Sequence, residues 1–167
     1  METYKVIKGF EGYSVSDHGN VKNNKTGRIL TNCPNGRGYE HVHLCKDQKR
    51  STITVHRLVA LSFLPNLDAK PMVDHIDNNI LNNNYLNLRW STCIQNGQNR
   101  QLNKNSKTEQ KGVSYDKTTK KWQAYMYIAG LKIHLGSFTN LEDAKQARIT
   151  KANQAFGVFT NACEKII

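Results

Sequence analysis

What the chain lacks narrows its identity first. No stretch approaches 18 apolar residues, so no segment reads as a membrane span. The opening METYKVIKGFEGYSVSD has no apolar core of signal-peptide length and no small-residue cleavage pattern, so an intracellular, non-secreted protein is expected. Cysteine is scarce. The four residues, Cys33, Cys45, Cys93 and Cys163, form no Cys-x-x-Cys pair. That spacing argues against a zinc knuckle or a compact disulfide framework and for reduced thiols. Acidic residues are also short, 13 against 24 Lys and Arg, giving a formal charge of +11. Such an excess points to a polyanionic partner, and with no amphipathic or apolar anchor that partner is not a membrane surface. No internal repeat is present. At 167 residues and 38% hydrophobic content, the chain has room for one medium domain or two to three small ones, each with a modest core.

What is present changes pattern along the chain. The first ~55 residues read as short strands divided by turns, with GYSVSDHGNVKN, NKTGRIL, YEHVHLCK and STITVH as the clearest pieces. HRLVALSFL then spaces Leu58, Leu61 and Phe63 or Leu64 as in a helix, which Pro65 stops. Residues 72–102 read strand, long loop, strand and helix, with Ser91 or Thr92 as the helix cap. NKNSKTEQK (103–111) is polar and basic and reads as a linker. Three strands follow. In the middle one Trp122, Ala124, Met126 and Ile128 share one face, and Lys121, Gln123, Tyr125 and Tyr127 the other. A last helix, capped by Thr139 or Asn140 and ended by Gly157, offers a small-residue stripe at Ala144, Ala147 and Ala155.

The chemistry lies in DHIDNNILNNNYLNLRW, where six of the ten residues from Asn78 to Asn87 are asparagine. Phosphodiester hydrolysis needs a base for water and a counter-charge for phosphorus and the leaving oxygen. Histidine serves as the base near neutral pH, and a divalent cation on hard oxygen ligands supplies the charge. Neighbouring strand residues face opposite ways, so Asp74 and His75 can straddle a strand end, with an ion on one side and the attacking water on the other. Asn96, one turn into the following helix, can oppose Asp74. Asn87 can accept a hydrogen bond from one imidazole nitrogen, so that the other acts as base. Asn82, Asn83 and Asn84 read as loop solvation and turn geometry. Asn99 shares the helix face of Asn96 and is the alternative ligand. His56 reads as a capping or packing residue, Cys93 as a small buried residue and Trp90 as core.

VDHIDNNILNNNYLNLRWSTCIQNGQN resembles the ββα-metal core of HNH nucleases, in the form found in phage intron-encoded homing endonucleases. The resemblance implies Asp74 and Asn96 as metal ligands, His75 as general base and Asn87 as its support. Many HNH proteins have histidine where Asn96 stands; asparagine there is similar to the single-metal, strand-nicking branch. VHRLVALSFLPN resembles the helix leading into that core, and YKVIKGFEGYSVSDHGNVKN the modules often joined to such nucleases. The segment from Gly112 to Asn161 is similar to the ethylene-response-factor type of DNA-binding domain, which lays a three-stranded sheet in the major groove.

The resulting expectation is a modular α+β protein with a β-rich DNA-binding module at 1–55, a nuclease core with its lead-in helix at 56–102, a linker at 103–111 and an ethylene-response-factor-like domain at 112–167. It is expected to be a monomeric, site-specific DNA endonuclease of a phage or mobile element. One Mg²⁺ or Mn²⁺ per site is expected, with double-stranded DNA as partner and neither membrane nor small-molecule cofactor. Lys117, Lys120, Lys121, Gln123, Tyr125, Tyr127 and Lys132 are the expected DNA face, with Gln suited to adenine and Lys to phosphate or guanine, and Arg89 a further phosphate contact. The rivals are a non-catalytic DNA-binding regulator and a structured-RNA binder.

Overall fold

The computed structural model describes residues 1–102, 106 and 108–165, in two compact units, Met1–Cys93 and Ile94–Ile167. The class is α+β, with small antiparallel sheets and three α-helices among the described residues. Asn103, Lys104, Asn105 and Lys107 of the expected linker lie outside the described residues.

The first unit opens with β1 (Tyr4–Ile7), β2 (Phe10–Ser16) and β3 (Val21–Asn23), paired in that order. The β2–β3 turn bends at Gly19, whose φ of +93° suits glycine, and Ser16 Oγ accepts the Asn20 amide at 2.9 Å to close it. A second sheet pairs β4 (Cys33–Pro34), β5 (Glu40–Lys46) and β6 (Lys49–Thr54). Its β5–β6 connection is a two-residue turn, Asp47-Gln48, with both φ angles positive, the geometry that matches strand twist in a tight hairpin. Helix α1 (Val55–Phe63) follows without a break and ends before Pro65. It buries Val55, Leu58 and Val59, while Leu61 turns outward. The inner face thus starts one turn earlier than the HRLVALSFL spacing suggests.

β7 (Met72–His75) and β8 (Leu88–Ser91) form a separate antiparallel pair, joined by the amide loop and a 3₁₀ turn at Tyr85–Asn87. Val15, Val21, Val42 and Leu44 of the early strands make one hydrophobic cluster with Val55, Leu58 and Val59 of α1 and Leu88 of β8. The sequence boundary at 55/56 therefore falls inside one packed unit. Trp90 is buried, as expected, and its Nε1 donates to Leu64 O at 3.2 Å.

Helix α2 (Cys93–Asn99) starts at the boundary between the units. It is three residues shorter than the CIQNGQNRQL pattern, and Cys93 is exposed rather than buried. The second unit holds β9 (Val113–Asp116), β10 (Lys121–Ile128) and β11 (Leu131–Phe138), with β10 central, and α3 (Leu141–Phe156) across them. Ala124 and Met126 point inward, as the alternation requires. The α3 face packed on the sheet is Ala144, Arg148, Ala152 and Phe156; Ala155 of the expected stripe is exposed. Asn140 is the cap, its Oδ1 accepting the Glu142 amide at 3.0 Å. Arg148 is buried and pairs with fully buried Glu164 at 2.9 Å.

Candidate active site

Cross-strand register builds the site. Asp74 lies opposite Arg89 and His75 opposite Leu88, so the acid meets a cation on its own face of the β7–β8 pair. Arg89 donates to Asp74 Oδ2 from Nε at 2.8 Å and from the terminal Nη2 at 2.6 Å, and both side chains are largely buried. Arg89, expected on phosphate, is thus held on the acid. That placement neutralises a carboxylate which burial alone would destabilise.

His75 is 4% exposed and lies among aromatic rings, His56 at 5.2 Å and Tyr39 at 6.0 Å between centroids. Burial pushes its pKa below the usual histidine value, partly offset by the hydrogen bond to Asn83 and the charges of Asp77 and Asp74. The imidazole is therefore biased toward the neutral form a base requires. His56 is shifted further, to about 4, by burial first and then by His75 and Arg57. Its Nδ1 is buried with no hydrogen-bond partner. This histidine is no helix cap; it packs directly on the candidate base.

The asparagines divide their labour. Asn79 Oδ1 accepts the Leu81 amide at 3.1 Å, and Asn84 Oδ1 accepts the Leu86 amide at 3.0 Å, ordinary turn work. Asn87 braces the turn after the base: its Nδ2 donates to Asp77 Oδ1 at 2.8 Å and Asn82 O at 2.9 Å, and its Oδ1 accepts the Asp77 amide at 3.1 Å. Burial opposes ionisation of Asp77, but hydrogen bonds from Asn82, the Asn79 amide and Asn87 outweigh it and hold the carboxyl below its usual value. Asn83 departs from the sequence reading. It is 3% exposed rather than solvated, and its Oδ1 lies 3.3 Å from His75 Nε2. Its Nδ2 donates to Glu40 Oε2 at 2.8 Å. Nothing in the sequence distinguishes this amide from its two asparagine neighbours; the distinction arises from packing against residues far away in the chain.

Asp74 belongs to the first unit, and Asn96, half-buried on α2, to the second. Asn99 is buried and accepts from Asn161 Nδ2 at its backbone oxygen at 2.5 Å. A carboxylate such as Asp74 is a hard oxygen donor of the kind Mg²⁺ and Mn²⁺ take, unlike the thiolates of structural zinc sites. Among the described residues, one group of three His, Cys, Asp or Glu ligand atoms is close enough to share an ion, Glu2, Asp17 and His18. Within it His18 Nδ1 lies 2.7 Å from Asp17 Oδ1.

In the second unit the outer face of β10 carries Lys121, Gln123, Tyr125 and Tyr127. Lys132 Nζ stands 4.4 Å over the Tyr125 ring, and Tyr125 meets Tyr127 edge-on at 6.1 Å. Gln123 Nε2 donates to Asp116 Oδ2 at 2.7 Å. Lys117 and Lys120 are exposed on the β9–β10 turn.

A helix leads into a strand, an amide-rich loop and a returning strand, with an Asp-His pair at the end of the first strand, the element order expected of an HNH core. Residues 54–98 match the HNH endonuclease family and residues 2–45 the NUMOD4 motif. The chain is 43% identical over 90 residues to the DNA endonuclease I-HmuI of Bacillus phage SP01, covering 53% of this chain and 52% of that protein. It is 33% identical over 128 residues to the H-N-H endonuclease F-TflII of Escherichia phage T5, covering 65% and 66%. An uncharacterised HNH endonuclease of Acanthamoeba polyphaga mimivirus is 45% identical over 95 residues, 55% of this chain and 24% of the relative. A solved structure described as DNA binding and cleavage by the HNH homing endonuclease I-HmuI aligns with a TM-score of 0.55 at 42% identity, over 58% of this chain and 56% of that one. The chain spans from about a quarter to two-thirds of the length of these relatives.

Proposed function

We propose that the chain is a site-specific DNA endonuclease of the homing type, cutting phosphodiester bonds with a histidine base and one divalent ion. The observation that carries this reading is the buried Asp74–His75 pair on a segment that matches the HNH endonuclease family. His75, kept neutral by its surroundings, takes the proton from the attacking water. Asp74 and Asn96 would hold one Mg²⁺ or Mn²⁺, which when bound supplies positive charge to the scissile phosphate and the leaving oxygen. Asn87 supports the base indirectly, by fixing the turn that follows it. Arg89, which lies beside Asp74, would be close enough to contribute positive charge toward a phosphate bound there.

The second unit would extend contact along the duplex. Its sheet would lie in the major groove in the manner of ethylene-response-factor domains. Tyr125, Tyr127, Lys121 and Lys132 would face DNA, with Lys117 and Lys120 on the backbone. Gln123, whose amide nitrogen is engaged by Asp116, would offer its carbonyl oxygen to a base-edge donor. A monomer with one core would nick one strand.

Supercoiled plasmid incubated with Mg²⁺, beside a chelated control and His75→Ala, tests the proposal. Nicked circles from the wild type alone are expected. Tight binding with intact plasmid would instead favour a non-catalytic regulator, and linear product would remove the single-strand reading.

A further inference from the structure

We propose that Glu40 and Asn83 are positioning residues that dictate which nitrogen of His75 carries the proton, so that a residue of the N-terminal segment sets up the nuclease base. The inference rests on the nuclease reading of His75. Glu40 lies on β5, within the residues that match the NUMOD4 motif, and 43 positions before Asn83.

The argument follows hydrogen-bond polarity. A carboxylate only accepts. Glu40 Oε2 accepts from Asn32 Nδ2 at 3.1 Å and from Asn83 Nδ2 at 2.8 Å. The nitrogen end of the Asn83 amide must therefore face Glu40, which turns the carbonyl end toward His75. An amide oxygen also only accepts, so the imidazole nitrogen 3.3 Å away, Nε2, must be the one that donates. A neutral imidazole has a single N–H, so Nδ1 carries the lone pair and is the basic atom. Three polar groups in series thus fix one tautomer, and the first sits on a strand outside the β7–loop–β8 hairpin.

Packing makes the arm rigid. Asn83 is 3% exposed, and a Cβ built on Gly19 would come within 2.7 Å of Asn83 Cβ, so the turn between β2 and β3 packs closely against this residue. The same turn anchors the loop through Asp17 O, which accepts the Tyr85 amide at 2.8 Å. Glu40 is itself held by Asn32. Without Glu40, the amide of Asn83 can turn over, present its NH₂ to the ring and favour the opposite tautomer.

The test reads the tautomer directly. Full-length protein labelled with ¹⁵N-histidine is recorded by long-range ¹H–¹⁵N correlation at a pH where the rings are neutral, and His75 is assigned with His75→Gln. The wild type is expected to show the Nε2–H form. Glu40→Gln, Glu40→Ala and Asn83→Ala should each move His75 toward a mixture, with the turnover of plasmid falling about tenfold and KM for DNA changing little. Glu40→Gln combined with Asn83→Asp reverses the polarity of the first bond but leaves an acceptor on the ring, so it should restore both tautomer and turnover. A merely structural role predicts no such rescue. An Nδ1–H ring in the wild type, or an Nε2–H ring unmoved in all three single variants, would overturn the proposal. A tautomer that shifts as expected in protein that cleaves no DNA upholds the positioning and removes the nuclease reading instead.

Discussion

In the first unit the candidate catalytic side chains are buried, and each is tied to a partner from another stretch: Asp74 to Arg89, His75 to Asn83, Asn83 to Glu40. In the second unit the candidate DNA face is open. Lys121 and Tyr127 are exposed, and Lys132 is held mainly by the ring of Tyr125 beneath it. The contrast follows from what each task needs. A base and a metal ligand must keep fixed protonation states and directions, which low dielectric and redundant hydrogen bonds provide. A surface that meets phosphates must remain hydrated and adjustable until DNA arrives. Substitutions in the first unit should therefore cost stability as well as function, and those on the second unit's face should cost function alone.

The largest break in that comparison comes from Asp74→Ala. Removing the acid leaves the Arg89 guanidinium buried without its counter-charge, a situation that costs about 3–5 kcal/mol. Denaturant unfolding should register that loss, and plasmid cleavage should disappear with it. Arg89→Leu added to Asp74→Ala removes the stranded charge, so the pair should recover much of the stability and none of the cleavage. If the single variant unfolds at the wild-type midpoint, the Asp74–Arg89 pair is not structural.

A smaller effect separates the units by pH. His56 has a folded pKa of about 4 against an ordinary value of 6.5, because burial, His75 and Arg57 all disfavour its charged form. Above pH 6.5 the ring is neutral whether folded or not, and its contribution is fully present. As pH falls toward 4 the unfolded chain takes up a proton that the folded chain refuses, so stability declines across that window by about 2–3 kcal/mol. Unfolding at pH 7.5 and 4.5 for wild type and His56→Phe checks this, since the other titrations are common to both. Equal pH dependence in the two proteins would show that His56 does not carry the effect.

These contacts also mark how far the residue order can be read. Asp74, His75 and the faces of β10 follow from short spacings, because strand alternation and turn chemistry are local. The Glu40–Asn83 bond joins residues 43 apart, and the seam between the early strands and α1 is closed by Val15, Val42 and Leu58 from separate segments. Six near-identical amides carry no periodic signal that selects the one to be buried. His56 was equally ambiguous: one position at a helix start serves a cap or a packing ring, and the choice belongs to Tyr39 and His75, neither of which is a sequence neighbour.

Gly19→Ala probes the same seam at a lower cost. A methyl at φ +93° is strained, and it would stand 2.7 Å from Asn83 Cβ. A loss of about 2 kcal/mol is expected from strain and overpacking together. Cleavage should weaken with it, because Asn83 must move. A variant as stable and active as the wild type would mean that the β2–β3 turn does not press on the site.

The smallest change in stability, and the sharpest contrast, belongs to Lys132→Ala. The ammonium sits over Tyr125 at 4.4 Å on an exposed strand, so its removal should alter unfolding by no more than about 0.5 kcal/mol. If this face meets the duplex, Lys132 neutralises a phosphate, and its loss reduces the slope of log affinity against log salt by about one. Binding isotherms at several salt concentrations measure that slope independently of cleavage. A variant with lowered stability and an unchanged slope would place Lys132 in packing, and the open face of the second unit would then resemble the buried site of the first. An unchanged midpoint with a reduced slope keeps the two apart, with one unit built to hold charges still and the other to release counterions when DNA arrives.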